Sequence, residues 1–292
     1  MALLPAIVTE SCDAIFDLTS SYLHSSPFYV LVVLTVIAMF VCIPLTQYKT
    51  VYGDTVAYGF SVLLQIMIIR AVFPPEANSM GDILTYAVIF WAIRLSVYLY
   101  VRDIMGWSRD SNVETRFKKL TVSIGLCSYY ALVSIPLLYA LRYPVKDPAY
   151  NPLVWSGVGL TWAGAILETI ADSHKFSIKL YQKDLDKFEG PSTGVYRLSR
   201  HPNYGGEIVM WFGVWLASLP SICESITSAI ASTVGFIMLC CILLFEASRR
   251  VEREQKRKYG GQIKYEKWKE QVPLSVFPVA PLFAAFGFGS RV

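Results

Sequence analysis

Seven stretches of this chain are almost wholly apolar and, at roughly 20 residues each, long enough to cross the hydrocarbon core of a bilayer. They cover residues 27–46, 54–73, 82–101, 121–141, 152–171, 204–219 and 226–247, parted by proline, glycine and charge, and the sixth is the shortest. Backbone in hydrocarbon has no water to bond, so each stretch must satisfy its own N–H and C=O groups as a helix. The composition agrees, because 54% of the 292 residues are hydrophobic and only 16% are charged, whereas soluble domains carry about 25% charged residues. That balance excludes a disordered chain, a nucleic-acid-binding domain and a secreted disulfide scaffold. The fold class is therefore all-α: a polytopic membrane helical bundle of about seven transmembrane helices in a lipid bilayer.

Loop charge supplies an orientation, since Lys and Arg gather on the cytosolic side of a membrane. Segments on the N-terminal side of the spans hold 2 of the 26 basic residues, Arg142 and Lys146. The opposite side holds 22, and Arg70 and Arg94 lie within spans. The expected arrangement is an N-terminal segment, 1–26, outside the cell or in a lumen, a transmembrane domain over 27–278, and a cytosolic end that includes a last tail, 279–292. Glu10, Asp13 and Asp17, with no Lys or Arg before residue 27, do not make a cleavable signal peptide. Residues 248–273 mix charge with Tyr259, Tyr265 and Trp268, the pattern of an amphipathic tail at the membrane surface.

The six cysteines include no CxxC pair and mostly fall in apolar runs; the three histidines, at 24, 174 and 201, have no helical ligand spacing. No metal site is expected from such a set.

Charges inside spans are costly and face the bundle interior. Arg94 sits midway along the third stretch, one turn from both Trp91 and Tyr98; it can bond carbonyls of a neighbouring helix or serve a reaction. Arg70, near the outer end of the second stretch, can reach the interface. Glu168, Asp172, Lys175 and Lys179 follow one another on a single helical face. Spacing alone allows either ordinary pairing along that helix or a polar face for a charged ligand.

The densest polar segment is GPSTGVYRLSRHPNYGGEIVMWFG, residues 190–213. Pro202 suits a first helical turn, and Gly205 and Gly206 allow close approach by a flat ligand or by another helix. Free N–H groups at that helix start, beside Arg197, Arg200 and His201, form a candidate anion site. Asn203 can bond a carboxamide in both senses, Tyr204 follows it, and Glu207 projects one turn inside the span.

The run Ser199-Arg200-His201-Pro202-Asn203-Tyr204-Gly205-Gly206-Glu207, preceded by Gly194-Val195-Tyr196-Arg197, resembles the RHPNYxGE signature of the DUF1295 family, relatives of the steroid 5-alpha-reductases. The likeness extends to residues 91–102, 168–175 and 259–273, and is strongest over 85–278. It implies a membrane oxidoreductase that takes NADPH from the cytosol. The lack of a signal peptide and the basic cytosolic tail suit the endoplasmic reticulum membrane, and a bacterial inner membrane would show the same charge bias. The substrate that the likeness implies is an apolar, lipid-like molecule entering from the bilayer, in which a C=C bond conjugated to a carbonyl is reduced. On the family pattern, Asp172 and Lys179, on the polar face that also carries Glu168 and Lys175, meet the adenosine and phosphates, and the anion site of Arg197, Arg200 and His201 read above lies on the same side of the membrane. Asn203 and Glu207 meet the nicotinamide end, with Tyr204 between them a further cofactor-binding candidate, and Tyr259 or Tyr265 closes over the nucleotide. This chain departs from the steroid reductases where they polarise the carbonyl: its second stretch offers Gln65 in place of an acid, and Trp91 stands where a tyrosine aligns. The donor to the developing enolate then falls to Tyr98 or Arg94. Part of the same grammar occurs in S-adenosylmethionine-dependent membrane methyltransferases acting on isoprenylcysteine or phospholipid. A non-catalytic membrane protein that kept the pocket is the third reading.

Overall fold

A computed structural model describes residues 3–107, 115–184 and 186–276, the side chains of 3–10 and of Cys12 excepted. The expected tail 279–292 lies outside the described residues. Ten α-helices and no strand occur among them. Helix α1 (Leu3–Leu23) precedes α2 (Pro27–Tyr48), α3 (Val56–Val72), α4 (Met80–Ile104), α5 (Arg116–Arg142), α6 (Asn151–Tyr181) and α7 (Pro202–Ile222). The last long rod begins as α8 (Ile226–Cys241), passes through a π-helical stretch (Ile242–Ala247) and continues as α9 (Ser248–Tyr259), before the short α10 (Ile263–Gln271).

Each of the seven apolar stretches is a helix, and six helices are long and apolar enough to span a membrane. With α8 counted together with its continuation through α9 as one 34-residue rod, the shortest is α3, with 17 residues, and not α7, which has 21. At 1.5 Å per residue α3 reaches about 25 Å, short of a hydrocarbon core of about 30 Å. The sixth stretch is longer than its apolar run because Pro202 fits the first turn of α7 and Pro220 is absorbed in the last. The N-terminal segment, expected only as an outer tail, forms α1. The guanidinium of Arg142 donates to the carbonyls of Leu23, His24 and Ser25 at 2.6–3.0 Å, taking up acceptors that the end of α1 leaves free.

Small residues set the closest packing. Where α6 and α7 cross, a Cβ on Gly164 would lie 2.5 Å from the Gly206 carbonyl oxygen, and one on Gly206 would lie 2.8 Å from that of Gly164. One heptad away, Gly157 faces Ala217 and Gly213 faces Thr161. Between helices in lipid the hydrophobic effect gives little drive, so backbone proximity through glycine is what binds them. Of the two uses open to Gly206, the fold takes helix approach.

The tail differs from a separate helix lying on the membrane. Its first half, α9, is the unbroken extension of α8. Its second half, α10, folds back so that Tyr265, Trp268 and Val272 bury Phe188 of the α6–α7 loop. Arg200 fastens this return. It donates to the carbonyls of Val272 and Pro273, both at 2.7 Å, and to Glu252 Oε1 at 2.8 and 3.1 Å. The backbone N–H groups of Arg200 and His201 donate to the carbonyls of Leu274 and Ser275, and Ser275 Oγ donates to Glu252.

Candidate active site

The interior of the bundle holds a polar cluster built from α3, α4, α5, α6 and α7. Arg94 Nη1 donates to Asp172 Oδ2 at 2.7 Å, and its Nη2 faces Glu168 Oε1 at 3.0 Å. The indole of Trp91, one turn earlier on α4, donates to Glu168 Oε2 at 2.8 Å. Glu168 and Asp172 are 2% and 3% exposed. They share a face of α6 as the sequence implies, and Arg94 reaches both of them from across the helix interface.

Glu207, buried on the first turns of α7, lies within electrostatic range of Glu168 and Asp172. Tyr58 and Tyr129 are within the same range of it. The Tyr58 ring is stacked 4.9 Å from Tyr130 and meets Trp91 edge-on at 5.2 Å. Trp91 in turn meets Trp211 at 5.3 Å. Three carboxylates against one guanidinium, walled by aromatic rings, make a costly arrangement in low dielectric. Several buried donors there lack a protein acceptor: the Tyr58 hydroxyl, Arg94 Nε and the Trp211 indole N–H. A ligand with hydrogen-bond acceptors would satisfy them.

Toward the end of the bundle that carries the basic loops, a cationic mouth of Arg102, Lys175 and Lys179 flanks the cluster. Arg102 lies 6.0 Å from the centroid of the Tyr98 ring and has a buried, unpartnered Nε. Tyr98 meets Phe176 edge-on, and Trp107 meets the other side of Phe176. Lys179 Nζ lies 5.8 Å over the Trp107 ring. Lys175 and Arg102 both act on Asp172, and Lys258 of α9 acts on Lys179. The steps Arg94, Tyr98 and Arg102 climb one face of α4, each four residues apart.

The remaining residues singled out in the sequence divide into two groups. Asn203 and Tyr204 stand half-buried on the first turn of α7, and the Tyr204 ring stacks on His201 at 5.4 Å. Arg200, His201, Tyr259 and Tyr265 belong to the seam that holds the tail, not to the mouth. His201 is 3% exposed and 3.4 Å from Glu252; burial holds its imidazole below the ordinary value against the pull of that carboxylate. Tyr265 is buried against Phe188 and Trp268, with Tyr259 on the rim of the same cluster. A lid made by Tyr265 is thereby replaced by an aromatic anchor, and burial pushes its phenol up. Arg197 is exposed on the far side of Tyr196, whose hydroxyl donates to the Ala171 carbonyl at 3.3 Å and whose ring meets His174. At Gly194, φ is +58° and a Cβ would press on the His174 ring at 3.2 Å, so glycine alone fits this turn without strain.

Reading the sequence missed Tyr58, Tyr129 and Arg102. Tyrosine inside an apolar stretch carries no local mark of function. Arg102 could have been found by extending the Arg94 and Tyr98 ladder one more turn. Gln65, offered in place of an acid, donates to the Leu34 carbonyl at 2.8 Å and accepts from Ser134 at 2.7 Å, so its amide is engaged on both sides, away from the cluster. Arg70 pairs with Asp82 at 2.6 Å and also bonds Thr85.

Residues 54–272, most of the chain and all of this cluster, match the family model described as "Protein of unknown function (DUF1295)". The chain belongs to DUF1295. No curated protein matches it, and no solved structure does. The DUF1295 match spans both halves of the site, from Tyr58 and Arg94 to Glu207, as well as the α10 anchor.

Proposed function

We propose that this DUF1295 protein is an integral membrane reductase that uses NADPH, drawn from the cytosol, to reduce a C=C bond conjugated to a carbonyl in an apolar, lipid-like substrate. The observation that carries the reading is the buried cluster of Arg94, Glu168, Asp172 and Glu207, with donors that no protein acceptor satisfies and a cationic mouth above it. The residues fit a reduced pyridine dinucleotide. Arg102, Lys175 and Lys179 would take its phosphates, Asp172 a ribose or adenine edge, and Asn203 with Glu207 the carboxamide. NADPH when bound supplies the hydride.

The chain's own part is to bind, to exclude water and to donate a proton. Arg94 has its terminal nitrogens committed to two carboxylates, so it acts as a positioning residue. Tyr98 sits among Phe176 and Arg102 at the mouth, on the nucleotide side. Tyr58 Oη, buried, unpartnered and beside Glu207, is better placed than either to donate to the carbonyl oxygen, with Glu207 to hold the exchanged proton. Aromatic walls from Trp91, Tyr130 and Trp211 keep bulk water from the reacting carbons. The membrane is that of the endoplasmic reticulum, with the basic loops and the C-terminus in the cytosol.

The test is a titration of the purified full-length protein in detergent with NADPH and, separately, with S-adenosylmethionine, read by tryptophan fluorescence and thermal shift. Saturable NADPH binding that is lost in Asn203→Ala and Glu207→Ala is expected. A response to S-adenosylmethionine alone would convert the reading to a methyltransferase, and a response to neither would leave a non-catalytic membrane protein. Engineered glycosylation sites check the orientation: modification within 175–200 would place the mouth out of reach of cytosolic nucleotide.

A further inference from the structure

A second cleft lies at the basic end of the bundle, outside the cluster described above. It has a volume of about 670 Å³ and lies between the α6–α7 loop and α10, with Arg197, Lys264 and Lys267 on its walls, the hydroxyls of Ser192 and Thr193 beside them and Trp268 in its floor. Tyr196 and Trp268 wall it off from Asp172: the Trp268 indole donates to the Tyr196 carbonyl at 3.4 Å, and Tyr196 bonds α6 on its other side. None of the three cations forms an ion pair among the described residues, although Lys187, Arg200 and Lys258 nearby all do. Glu189 is the one acid on the walls, so the cleft has a surplus of two positive charges. The cleft also has an apolar extension. At Glu189 it meets a shallow hollow of about 360 Å³ formed by Ser177, Ile178 and Tyr181 on the last turns of α6. Around this end Leu180, Tyr181, Leu198 and Ile263 are left exposed, the mixture of apolar and basic side chains that sits in the headgroup layer of a membrane.

We infer that this cleft binds the headgroup of an anionic phospholipid from the adjoining leaflet, its phosphate held by Arg197, Lys264 and Lys267 and its glycerol and first acyl carbons lying in the Ile178 and Tyr181 hollow. The phosphomonoester of phosphatidic acid carries about −1.5 to −2 charges near neutral pH, which matches the surplus. A free phosphate would use the cations and leave the apolar hollow without an occupant. The inference does not depend on the reductase reading, since none of these residues contributes to the Arg94 cluster.

The experiment uses the full-length protein in a neutral detergent and three probes: dioctanoyl phosphatidic acid, dioctanoyl phosphatidylcholine and glycerol 3-phosphate, with binding followed by Trp268-sensitive fluorescence and by native mass spectrometry. Phosphatidic acid is expected to bind at least tenfold more tightly than either of the others. The double variant Lys264→Gln/Lys267→Gln, both exposed positions, is expected to lose about tenfold of that affinity while its NADPH titration stays as in the parent. Equal binding of the acid and the choline lipid, or indifference to the double variant, overturns the inference. Glycerol 3-phosphate binding as tightly as the lipid makes the cleft a free-phosphate site, and competition by NADPH assigns it to the nucleotide; either result also overturns it.

Discussion

Gly164 and Gly206 stand back to back where α6 and α7 cross, each so near the other's carbonyl that a methyl group on either would meet backbone. One turn beyond Gly164 is Glu168, and directly after Gly206 is Glu207. The glycine contact thus brings the two carboxylates within electrostatic range of each other.

Replacing Gly206 with alanine should therefore disturb both fold and site. Overpacking typically costs about 1–3 kcal/mol, and here the obstacle is backbone, which gives less readily than a side chain. Thermal unfolding in detergent is expected to drop by several degrees for Gly206→Ala. Gly125→Ala, where a Cβ would meet nothing within 4 Å, should leave the midpoint where it is or raise it.

Removing the guanidinium of Arg94 strands Glu168 and Asp172 in the bundle. Breaking a buried ion pair from one side costs about 3–5 kcal/mol, so Arg94→Met should unfold at markedly lower temperature. Combining it with Glu168→Gln and Asp172→Asn should restore most of the loss, because the stranded charges go with it. A triple variant no more stable than Arg94→Met would show that the cluster is not held by charge.

Tyr58→Phe removes one hydroxyl and little volume. On the proposed mechanism NADPH affinity should be unchanged, while NADPH oxidation in nanodiscs supplied with host lipid extract should fall about 10²-fold or more, the usual effect of losing one positioned donor. Tyr98→Phe should show the opposite balance, with weaker nucleotide binding as its main effect. Full turnover in Tyr58→Phe would return the donor role to another group.

Acid should loosen the tail. His201 is held below its ordinary value of about 6.5 by burial, so the folded protein binds fewer protons there than the unfolded chain. Its contribution to stability is complete above about pH 6.5 and declines as pH falls from there through the lowered folded value. Midpoints measured from pH 7.5 to 5 should decrease, and His201→Gln should flatten that slope. A slope identical in the variant would place the acid-sensitive group elsewhere.

Much of the architecture was legible before any contact was known. The seven stretches and their charged boundaries gave seven helices, because burial in lipid leaves a run of apolar residues no other way to satisfy its backbone. Tyr58 was not legible, since an aromatic ring in an apolar helix has the same sequence signature whether it faces lipid, core or ligand. The tail contacts of Arg200, His201 and Tyr265 were hidden for a related reason. Their segment is dense in cations, and density alone cannot tell a ligand's phosphate from Glu252 and the carbonyls of residues 272–273.

The sequence by itself determined which seven stretches form the apolar helices, and that Arg94, Glu168, Asp172 and Glu207 are charges inside a membrane domain. Only the tertiary structure decided that they meet, with Arg94 reaching partners 74 and 78 residues away, and that Arg197 does not join them. Hydropathy and helical period act along one dimension and fix each helix alone. The pairing of helices in lipid is set by glycine seams, steric fit and buried hydrogen bonds, and these come into being when two faces touch.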